Sequence, residues 1–480
     1  MPLDLSYLSI PLPEEVVRIK QYGDFQGAAK VIDHLLERKI PFALKKRLEI
    51  EKEIIKMIGI NEYPFSVNEA IHQMREAFEQ FESKELDQLM EESLVDWIYV
   101  GGEPHFQRRF LLNLVKTQPA YAERLIKKED SETDQLRKIE LTENIRLMKE
   151  NGHRKVKIHI RSSIKIKKEH ERIGEQVKVH LPVPRNAQQI SEIKILKHSE
   201  ADKVTTSPED SYQRTICFET RLKENEEFFV EYEYVNEVHY IELDALKAEK
   251  AKEEMSDLEE QLPHIRFTPY LQSILDEVLD GETNTVIQAR KIYDFITTNV
   301  KYSFMREYFT IDNISEYAAV NLKGDCGVQA ILFITLCRMA GIPAKWQSGL
   351  YVSQYYTGCH DWAQFYVEPY GWIFADLSFG GGAYAAGDIE RWNYYFGNLD
   401  IFRMPANDRI QEEFIPAKLH VRADPIDNQR GEWEYGDQGI PYAYLEVKQE
   451  LISMKEIWGE GEQKELFRKS QLDDSAEKVL

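Results

Sequence analysis

The chain has 480 residues, 42% of them hydrophobic and 11% aromatic, which predicts about three globular domains and excludes wholesale disorder. Its net charge of −22 argues against nucleic-acid binding, because phosphate backbones attract basic surfaces. The sequence shows no signal-peptide pattern and no run of about 18 apolar residues, and four cysteines are too few for a disulfide scaffold, so we expect a cytoplasmic protein without membrane contact.

The first predicted elements are helices, which make up an N-terminal helical domain over residues 1–140. Apolar residues recur there at helical spacing, as in the set Ala28, Val31, Ile32, Leu35 and Leu36. The segment 127–140 is charged and contains few large apolar residues. Such a change in composition predicts a domain boundary within it.

The hydrophobic pattern then changes to strict alternation, which is typical of strands with one buried face. The alternating residues include Val156, Ile158 and Ile160, and later Val177, Val179 and Leu181. Several such strands predict an antiparallel β-sandwich over residues 141–245. The charged stretch 246–262 is predicted to be a helical connector.

Residues 263–440 mix both patterns and are predicted to form an α+β core. An amphipathic helix with a Thr/Asn start is expected from about residue 284. The stretch "KGDCGVQAILFITLCRMAGIPAKW" (323–346) predicts a buried helix that begins at Asp325 and Cys326 and ends before Gly341. The polar and acidic residues 441–480 are predicted to be a C-terminal tail.

Cys326 stands at the first turn of a helix whose other side chains are almost all apolar. The positive end of a helix dipole favours a thiolate, which is how a fold prepares a cysteine nucleophile. We therefore expect Cys326 to be reactive. A nucleophile of this kind needs a base and a group that orients the base.

The base and its orienting group are predicted on a β-hairpin downstream, in "HDWAQFYVEPYGWIFADL". If Val367 pairs with Gly371, then Asp376 lies diagonally beside His360 on the same face of the hairpin. Cys326, His360 and Asp376 would then form a catalytic set in which His360 takes the thiol proton and Asp376 fixes the imidazole.

At these residues the chain resembles the transglutaminase-like superfamily. The resemblance lies in Gly324-Asp325-Cys326, in "LCRMAGIPAKWQSGLYV", in His360-Asp361-Trp362 and in "GWIFADLSFGG", and it extends over roughly residues 265–410. It implies an α+β, papain-like core preceded by the β-sandwich. The first 140 residues carry no such resemblance.

The resemblance implies Cys326 as nucleophile, His360 as base and Asp376 as orienting acid. It also implies acyl transfer through a Cys thioester at glutamine or related amide groups of a protein or peptide substrate. The superfamily often has alanine after the histidine, where this chain has Asp361. That departure puts the pH optimum in doubt, and it leaves Asp361 open as an alternative member of the triad.

Three functional alternatives follow from the same residues. The thioester can pass to an amine, as in a transglutaminase-like enzyme, or to water, as in a cysteine protease or amidase. The core can also serve as a non-catalytic peptide-binding scaffold. The sequence indicates neither the oligomeric state nor the second oxyanion-hole donor, for which Trp346, Gln347 and Tyr302 are candidates.

No cofactor or metal site is predicted. Cys359 next to His360 has no C-x-x-C partner in the chain, which argues against zinc. The stretch "DPIDNQRGEWE" lacks the ligand spacing of an EF-hand loop, so calcium has no support either. Cys359 could also be a redox partner of Cys326, or it could be a small apolar residue like Cys337.

Overall fold

The protein is described by a computed structural model that covers residues 4–127, 131–251, 256–459 and 462–469. In these ranges it is a mixed α+β protein, and the described strands form five β-sheets. Within these ranges no helix has both the length and the apolar character that crossing a bilayer demands.

The N-terminal part consists mainly of helices, as predicted. Its elements in chain order are α1 (Glu14–Gln21), α2 (Phe25–Leu36), α3 (Phe42–Glu62), β1 (Phe65–Ser66), α4 (Val67–Ala77), α5 (Lys84–Glu91), β2 (Trp97–Val100), β3 (Glu103–Phe106), α6 (Phe110–Thr117), α7 (Pro119–Glu123) and α8 (Ser131–Asn151).

The small sheet β1-β3-β2 corrects the prediction that the N-terminal region, residues 1–140, is built of helices alone. Strands β2 and β3 form a hairpin in which Val100 pairs with Glu103. The turn between them consists of Gly101 and Gly102, which have φ values of 62° and 87°. Glycine adopts such left-handed angles without strain, and a Gly-Gly pair between apolar runs is a hairpin signal.

Two five-stranded antiparallel sheets follow and share one hydrophobic core. Their first strands are β4 (His153–Ile166), β5 (Gln176–Pro182), β6 (Ile190–His198), β7 (Lys203–Thr206), β8 (Thr215–Arg221) and β9 (Glu227–His239). The residues predicted to face inward are buried, including Val156, Ile158, Val177 and Val179. This is the sandwich arrangement that the alternation predicts.

The sandwich also includes the end of the described chain, which corrects the prediction of a tail from residue 441. Strands β17 (Glu432–Tyr435), β18 (Gly439–Ile440), β19 (Leu445–Trp458) and β20 (Glu462–Arg468) complete the two sheets. Strand β19 pairs along β4 from Leu445 opposite Ile166 to Glu456 opposite Val156. Because this pairing joins residues almost 300 positions apart, local polarity does not reveal it. Residues 470–480 of the predicted tail lie outside the described ranges.

The predicted helical connector is also different in the structure. Its described residues form two short 3-10 helices, Ala245–Lys247 and Ser256–Leu258, and residues 252–255 lie outside the described ranges. Charged residues in this stretch favour solvent contact but do not by themselves make a helix of several turns.

The core after residue 263 packs helices on one face of a five-stranded sheet. Its elements are α9 (Pro269–Leu279), α10 (Thr285–Asn299), β10 (Lys301–Tyr302), α11 (Ile314–Asn321), β11 (Lys323–Gly324), α12 (Cys326–Met339), β12 (Ala344–Val352), β13 (Thr357–Val367), β14 (Gly371–Ala375), α13 (Leu377–Ala385), α14 (Ile389–Tyr394), β15 (Phe396–Gly397) and β16 (Arg403–Asn407). The strand order is β15-β14-β13-β12-β16.

The two faces of this sheet belong to different hydrophobic cores. Ala363, Phe365 and Ile373 pack in the core that contains α12. Trp362 and Phe374 pack instead in the core shared with the sandwich. Successive strand residues point to opposite faces, so the sheet separates a helix-side face from a sandwich-side face.

Candidate active site

The start of helix α12 places Cys326. Asp325 is the N-cap, and its side chain accepts a hydrogen bond from the Val328 backbone N–H at 3.3 Å. The hydroxyl of Tyr308 donates to the same carboxylate. An Asp cap satisfies free N–H groups of the first helical turn, which fixes where the helix begins. Cys326 is 9% exposed, so a small part of this residue at the first turn of α12 remains accessible to solvent.

The hairpin of β13 and β14 places His360 and Asp376. Val367 pairs with Gly371, which is the register assumed from the sequence. The Nε2 atom of His360 lies 2.7 Å from Asp376 Oδ2, so the two side chains meet as predicted. Strand β14 ends at Ala375, however, and Asp376 is the N-cap of α13, where it accepts the Phe379 N–H at 3.0 Å.

Arg403 joins this pair from strand β16, and no sequence pattern had singled it out. Its Nη1 lies 2.8 Å from Asp376 Oδ2, and its Nε donates to Asp400 Oδ1 at 2.9 Å. Burial by itself would raise the pKa of Asp376, but His360 and Arg403 outweigh burial and lower this pKa to about 2. Asp376 is therefore ionised at neutral pH.

The thiol of Cys326 makes its hydrogen bond elsewhere. Its Sγ donates to Asp361 Oδ2 at 3.1 Å. Asp361 follows His360 directly in β13, and alternation places Asp361 on the helix-side face with Ala363 while His360 lies on the sandwich-side face with Trp362. The structure thus brings together His360 with Asp376, and Cys326 with Asp361.

The electrostatic environment of Cys326 differs from the expectation of a helix-stabilised thiolate. Burial, and then the carboxyls of Asp361 and Asp325, raise the pKa of the Cys326 thiol well above its ordinary value. The dipole of α12 acts on this atom, but two nearby acids and the loss of hydration act against it. In this arrangement Cys326 is a neutral thiol.

Asp361 is held by residues that sequence reasoning did not find. Gln429 donates one hydrogen bond to the Asp361 carboxyl and a second, at 3.0 Å, to the backbone oxygen of His360. Asp427 comes from the same loop and accepts from the Ser348 hydroxyl at 2.7 Å. Both lie more than 60 positions from Asp361 in a stretch without regular spacing, so no local signal indicated them.

Of the three candidate oxyanion-hole donors, Tyr302 lies beside the cysteine. It pairs with Gly324 in the two-stranded sheet of β10 and β11. After burial, the neighbouring Cys326, Asp325 and Asp361 further raise the pKa of Tyr302 well above its ordinary value.

The other two candidates are packed into the sheet. Trp346 lies in the helix-side core. The side-chain oxygen of Gln347 accepts from Trp362 at 2.8 Å and from Gln189 at 2.6 Å.

The N-terminal helical domain holds the segment that carries Tyr302 and Tyr308. The Asn113 side chain donates to the Phe304 oxygen at 2.9 Å and accepts from the Phe304 N–H at 2.7 Å. Arg108 donates to Glu307 at 2.7 Å. These contacts give the N-terminal domain a direct role in shaping the wall beside Cys326.

The other three cysteines lie outside the group of contacts around Cys326. Cys217 and Cys337 are buried, and Cys359 is half-buried and lies near Arg430. In the described part of the chain, no group of three or more His, Cys, Asp or Glu side chains is arranged to hold a metal ion.

A comparison with protein families places this site in context. Residues 272–377 match the model of the transglutaminase-like superfamily, a range that contains Cys326, His360, Asp361 and Asp376. A comparison with curated protein sequences finds no match.

A comparison with solved structures matches a candidate cysteine protease from Cytophaga hutchinsonii, at 16% identity and a TM-score of 0.37, covering 66% of this chain and 92% of that one. It also matches the periplasmic domain of TgpA from Pseudomonas aeruginosa, at 12% identity and a TM-score of 0.27, covering 53% of this chain and 95% of that one.

Proposed function

We propose that the protein is a cysteine enzyme that acts on amide groups of a protein or peptide substrate, because residues 272–377 match the model of the transglutaminase-like superfamily. Cys326 is the nucleophile, His360 is the base and Asp376 orients the imidazole. The observation that supports this proposal best is the 2.7 Å contact between His360 Nε2 and the buried Asp376 carboxylate. Such a pair fixes the imidazole and stabilises the imidazolium that forms when it takes a proton.

The acylation step uses these groups in order. After Sγ leaves Asp361 and comes within reach of His360, whose side chain lies on the other face of β13 in this structure, the imidazole removes its proton and the thiolate attacks the amide carbonyl carbon. The tetrahedral oxyanion is stabilised by the Cys326 backbone N–H at the start of α12, where the helix dipole is positive. The imidazolium then protonates the leaving nitrogen, the C–N bond breaks, and a thioester on Cys326 remains.

The thioester is resolved by an amine or by water. An amine acceptor gives a new amide, as in a transglutaminase-like enzyme acting on glutamine, whereas water gives a carboxylic acid, as in a protease or amidase. Both outcomes share the acylation step and need the same three residues. In either case Sγ must first leave Asp361, the acceptor that it has in this structure.

A second candidate function has one specific observation in its favour. The Cys326 thiol is bonded to Asp361, and its pKa is raised by burial and by neighbouring acids. A site that holds its cysteine neutral is also compatible with a peptide-binding scaffold that does not turn over a substrate.

The test is to incubate the protein with glutamine-containing peptides and a labelled primary amine, and to follow amine incorporation and hydrolysis by mass spectrometry. We expect a thioester on Cys326, and a loss of about a thousandfold or more in activity for Cys326→Ala and for His360→Ala. Cys217→Ala removes a buried thiol from the sandwich and serves as the control. Full function in a folded Cys326→Ala protein would support the scaffold instead.

We also propose the cytoplasm as the site of action. Cys217, Cys326, Cys337 and Cys359 are all free thiols in the structure. A nucleophilic cysteine needs a reduced thiol, and the cytoplasm maintains one. Cell fractionation followed by immunoblotting tests this assignment, and recovery of the protein in an extracytoplasmic fraction would contradict it.

A further inference from the structure

Two buried carboxyls face each other beside the candidate nucleophile. The Asp361 carboxyl accepts the Cys326 thiol on one side. On the other side, Asp361 pairs across the sheet with Ser348, whose hydroxyl donates to the Asp427 carboxyl at 2.7 Å, so the two acids lie beside each other. Both residues are nearly inaccessible, with exposed fractions of 4% for Asp361 and 3% for Asp427. Two neighbouring carboxylates in a low-dielectric interior repel each other strongly.

One carboxyl oxygen of Asp427 lacks a hydrogen-bond donor among the described N–H and hydroxyl groups. Asp427 Oδ1 accepts from Ser348, but Asp427 Oδ2 is buried and receives no hydrogen bond from an N–H or hydroxyl group of the described residues. A buried carboxylate oxygen without a donor is costly. A proton on Asp361 would satisfy it, because a protonated carboxyl is a donor.

The surrounding contacts hold both acids in place. Gln429 donates to Asp361, and Asn407 donates at 3.0 Å to the Ser348 hydroxyl that in turn bonds Asp427. These neutral donors come from a loop and from two strands. They fix the geometry of the pair and carry no charge. The cation that acts on Asp427, Arg422, is itself paired with Glu432 at 2.8 Å.

We propose that Asp361 and Asp427 share one proton, and that this acid pair keeps the Cys326 thiol neutral and masks the nucleophile in the resting protein. The proposal concerns the regulation of the site under "Proposed function" and takes Cys326 as the nucleophile from there. It gives Asp361, which stands where the superfamily often has alanine, a defined role.

The charge around the thiol agrees with this role. The titratable side chains that interact with Cys326 and Asp361 from the packed elements are Asp325, Asp427, Tyr302, Tyr308, Tyr356 and Cys359. Arg109 acts on Asp325, and Arg422 acts on Asp427. Most groups next to the sulfur are acids and phenols, which are neutral or negatively charged. Ionising the thiol would therefore add a negative charge close to other negative charges, which is unfavourable.

The first measurement detects the shared proton directly. Infrared difference spectra at pH 7 between the wild-type protein and Asp361→Asn are expected to show the carbonyl stretch of a protonated carboxylic acid. The matched control is Asp376→Asn, because Asp376 is equally buried but has a pKa of about 2 and is ionised at this pH. A carboxylate band in the Asp361 difference spectrum would overturn the proposal.

The second measurement follows the thiol. The ultraviolet thiolate absorbance of the protein minus that of Cys326→Ser gives the ionisation midpoint of Cys326. We expect a wild-type midpoint above the ordinary value of about 8.5, and a downward shift of about one pH unit or more in Asp361→Asn and Asp361→Ala. A wild-type midpoint near neutral pH would overturn the masking role even if neither variant folds, and so would folded variants with an unchanged midpoint.

These outcomes separate the inference from the proposed function. The titration needs no substrate, so a masked thiol in a protein without amide chemistry would support the inference and contradict the enzyme. Conversely, amide chemistry with a thiolate already formed at neutral pH would support the enzyme and contradict the masking pair.

Discussion

The two faces of the central sheet carry two buried aspartates that behave in opposite ways. Beside the sandwich-side face, just past the end of β14, Asp376 contacts His360 and Arg403, and its pKa is lowered to about 2. On the helix-side face, burial, and then Asp427 and Asp325, raise the pKa of Asp361 well above its ordinary value. His360 and Asp361 are adjacent in the chain, yet alternation assigns them to different environments.

This difference shows that burial alone does not decide the charge of an acid. Desolvation raises the pKa of both aspartates, and the sign of the final shift depends on the neighbouring groups. One face supplies an arginine and a histidine, whereas the other supplies two more carboxyls and a thiol. The first environment suits an ionised orienting acid, and the second suits a proton-holding acid.

Among the substitutions considered, removing the Arg403 side chain should lower the free energy of unfolding the most. Its guanidinium is fully buried between Asp376 and Asp400, so Arg403→Met leaves two carboxylates in the interior without their cation. We expect a loss of about 3–5 kcal/mol in the free energy of unfolding, measured by urea denaturation.

The control is Arg161→Met, since Arg161 also contacts two carboxylates, of Glu227 and Glu231, but is 25% exposed. Its loss should cost about 1 kcal/mol or less. If Arg403→Met costs no more than Arg161→Met, the ionised state of Asp376 does not depend on Arg403 and the contrast between the two faces fails.

The pH dependence of stability should have opposite signs for the two aspartates. The depressed pKa of Asp376 stabilises the folded protein above the unfolded pKa of about 3.9, and this contribution of about 2 kcal/mol is lost as the pH falls through about 2. Asp376→Asn should therefore be less stable than wild type at pH 7, with a gap that closes toward pH 2.

Asp361 should show the reverse behaviour. Its raised pKa means that the folded state binds the proton more tightly than the unfolded state, so its ionisation destabilises the fold as the pH rises above about 4. Asp361→Asn should gain stability relative to wild type from pH 4 to pH 7. Urea denaturation across this range measures both differences, and parallel curves for the two variants would refute the comparison.

The third and smallest effect on stability concerns the segment 302–308, which lies beside Cys326 on the helix side of the sheet. Asn113→Ala removes both side-chain hydrogen bonds to Phe304 and should lower the free energy of unfolding by about 1 kcal/mol. Hydrogen exchange should become faster at residues 302–308, beside Cys326, and stay unchanged at 372–376, near Asp376. Asn299→Ala is the control, because its side chain bonds within its own helix. Equal acceleration in both segments would mean that the N-terminal domain does not support the cysteine side selectively.

Much of the candidate site follows from local sequence. The Asp325 cap, the start of α12 at Cys326 and the stop at Gly341 are set by capping and glycine chemistry within one helix. The hairpin register that brings His360 to Asp376 follows from a short turn and alternation. Such features depend on neighbours a few residues apart, so the residues themselves determine them.

Tertiary structure alone decided the partners of these residues. Arg403, Asp427 and Gln429 reach the site from distant strands and loops, and β19 completes the sandwich by pairing with a strand almost 300 positions earlier. The sequence places a cysteine at a helix start and an aspartate after the histidine. Only the packing shows that the thiol faces this aspartate, because charge and burial in the interior are properties of groups brought together in space.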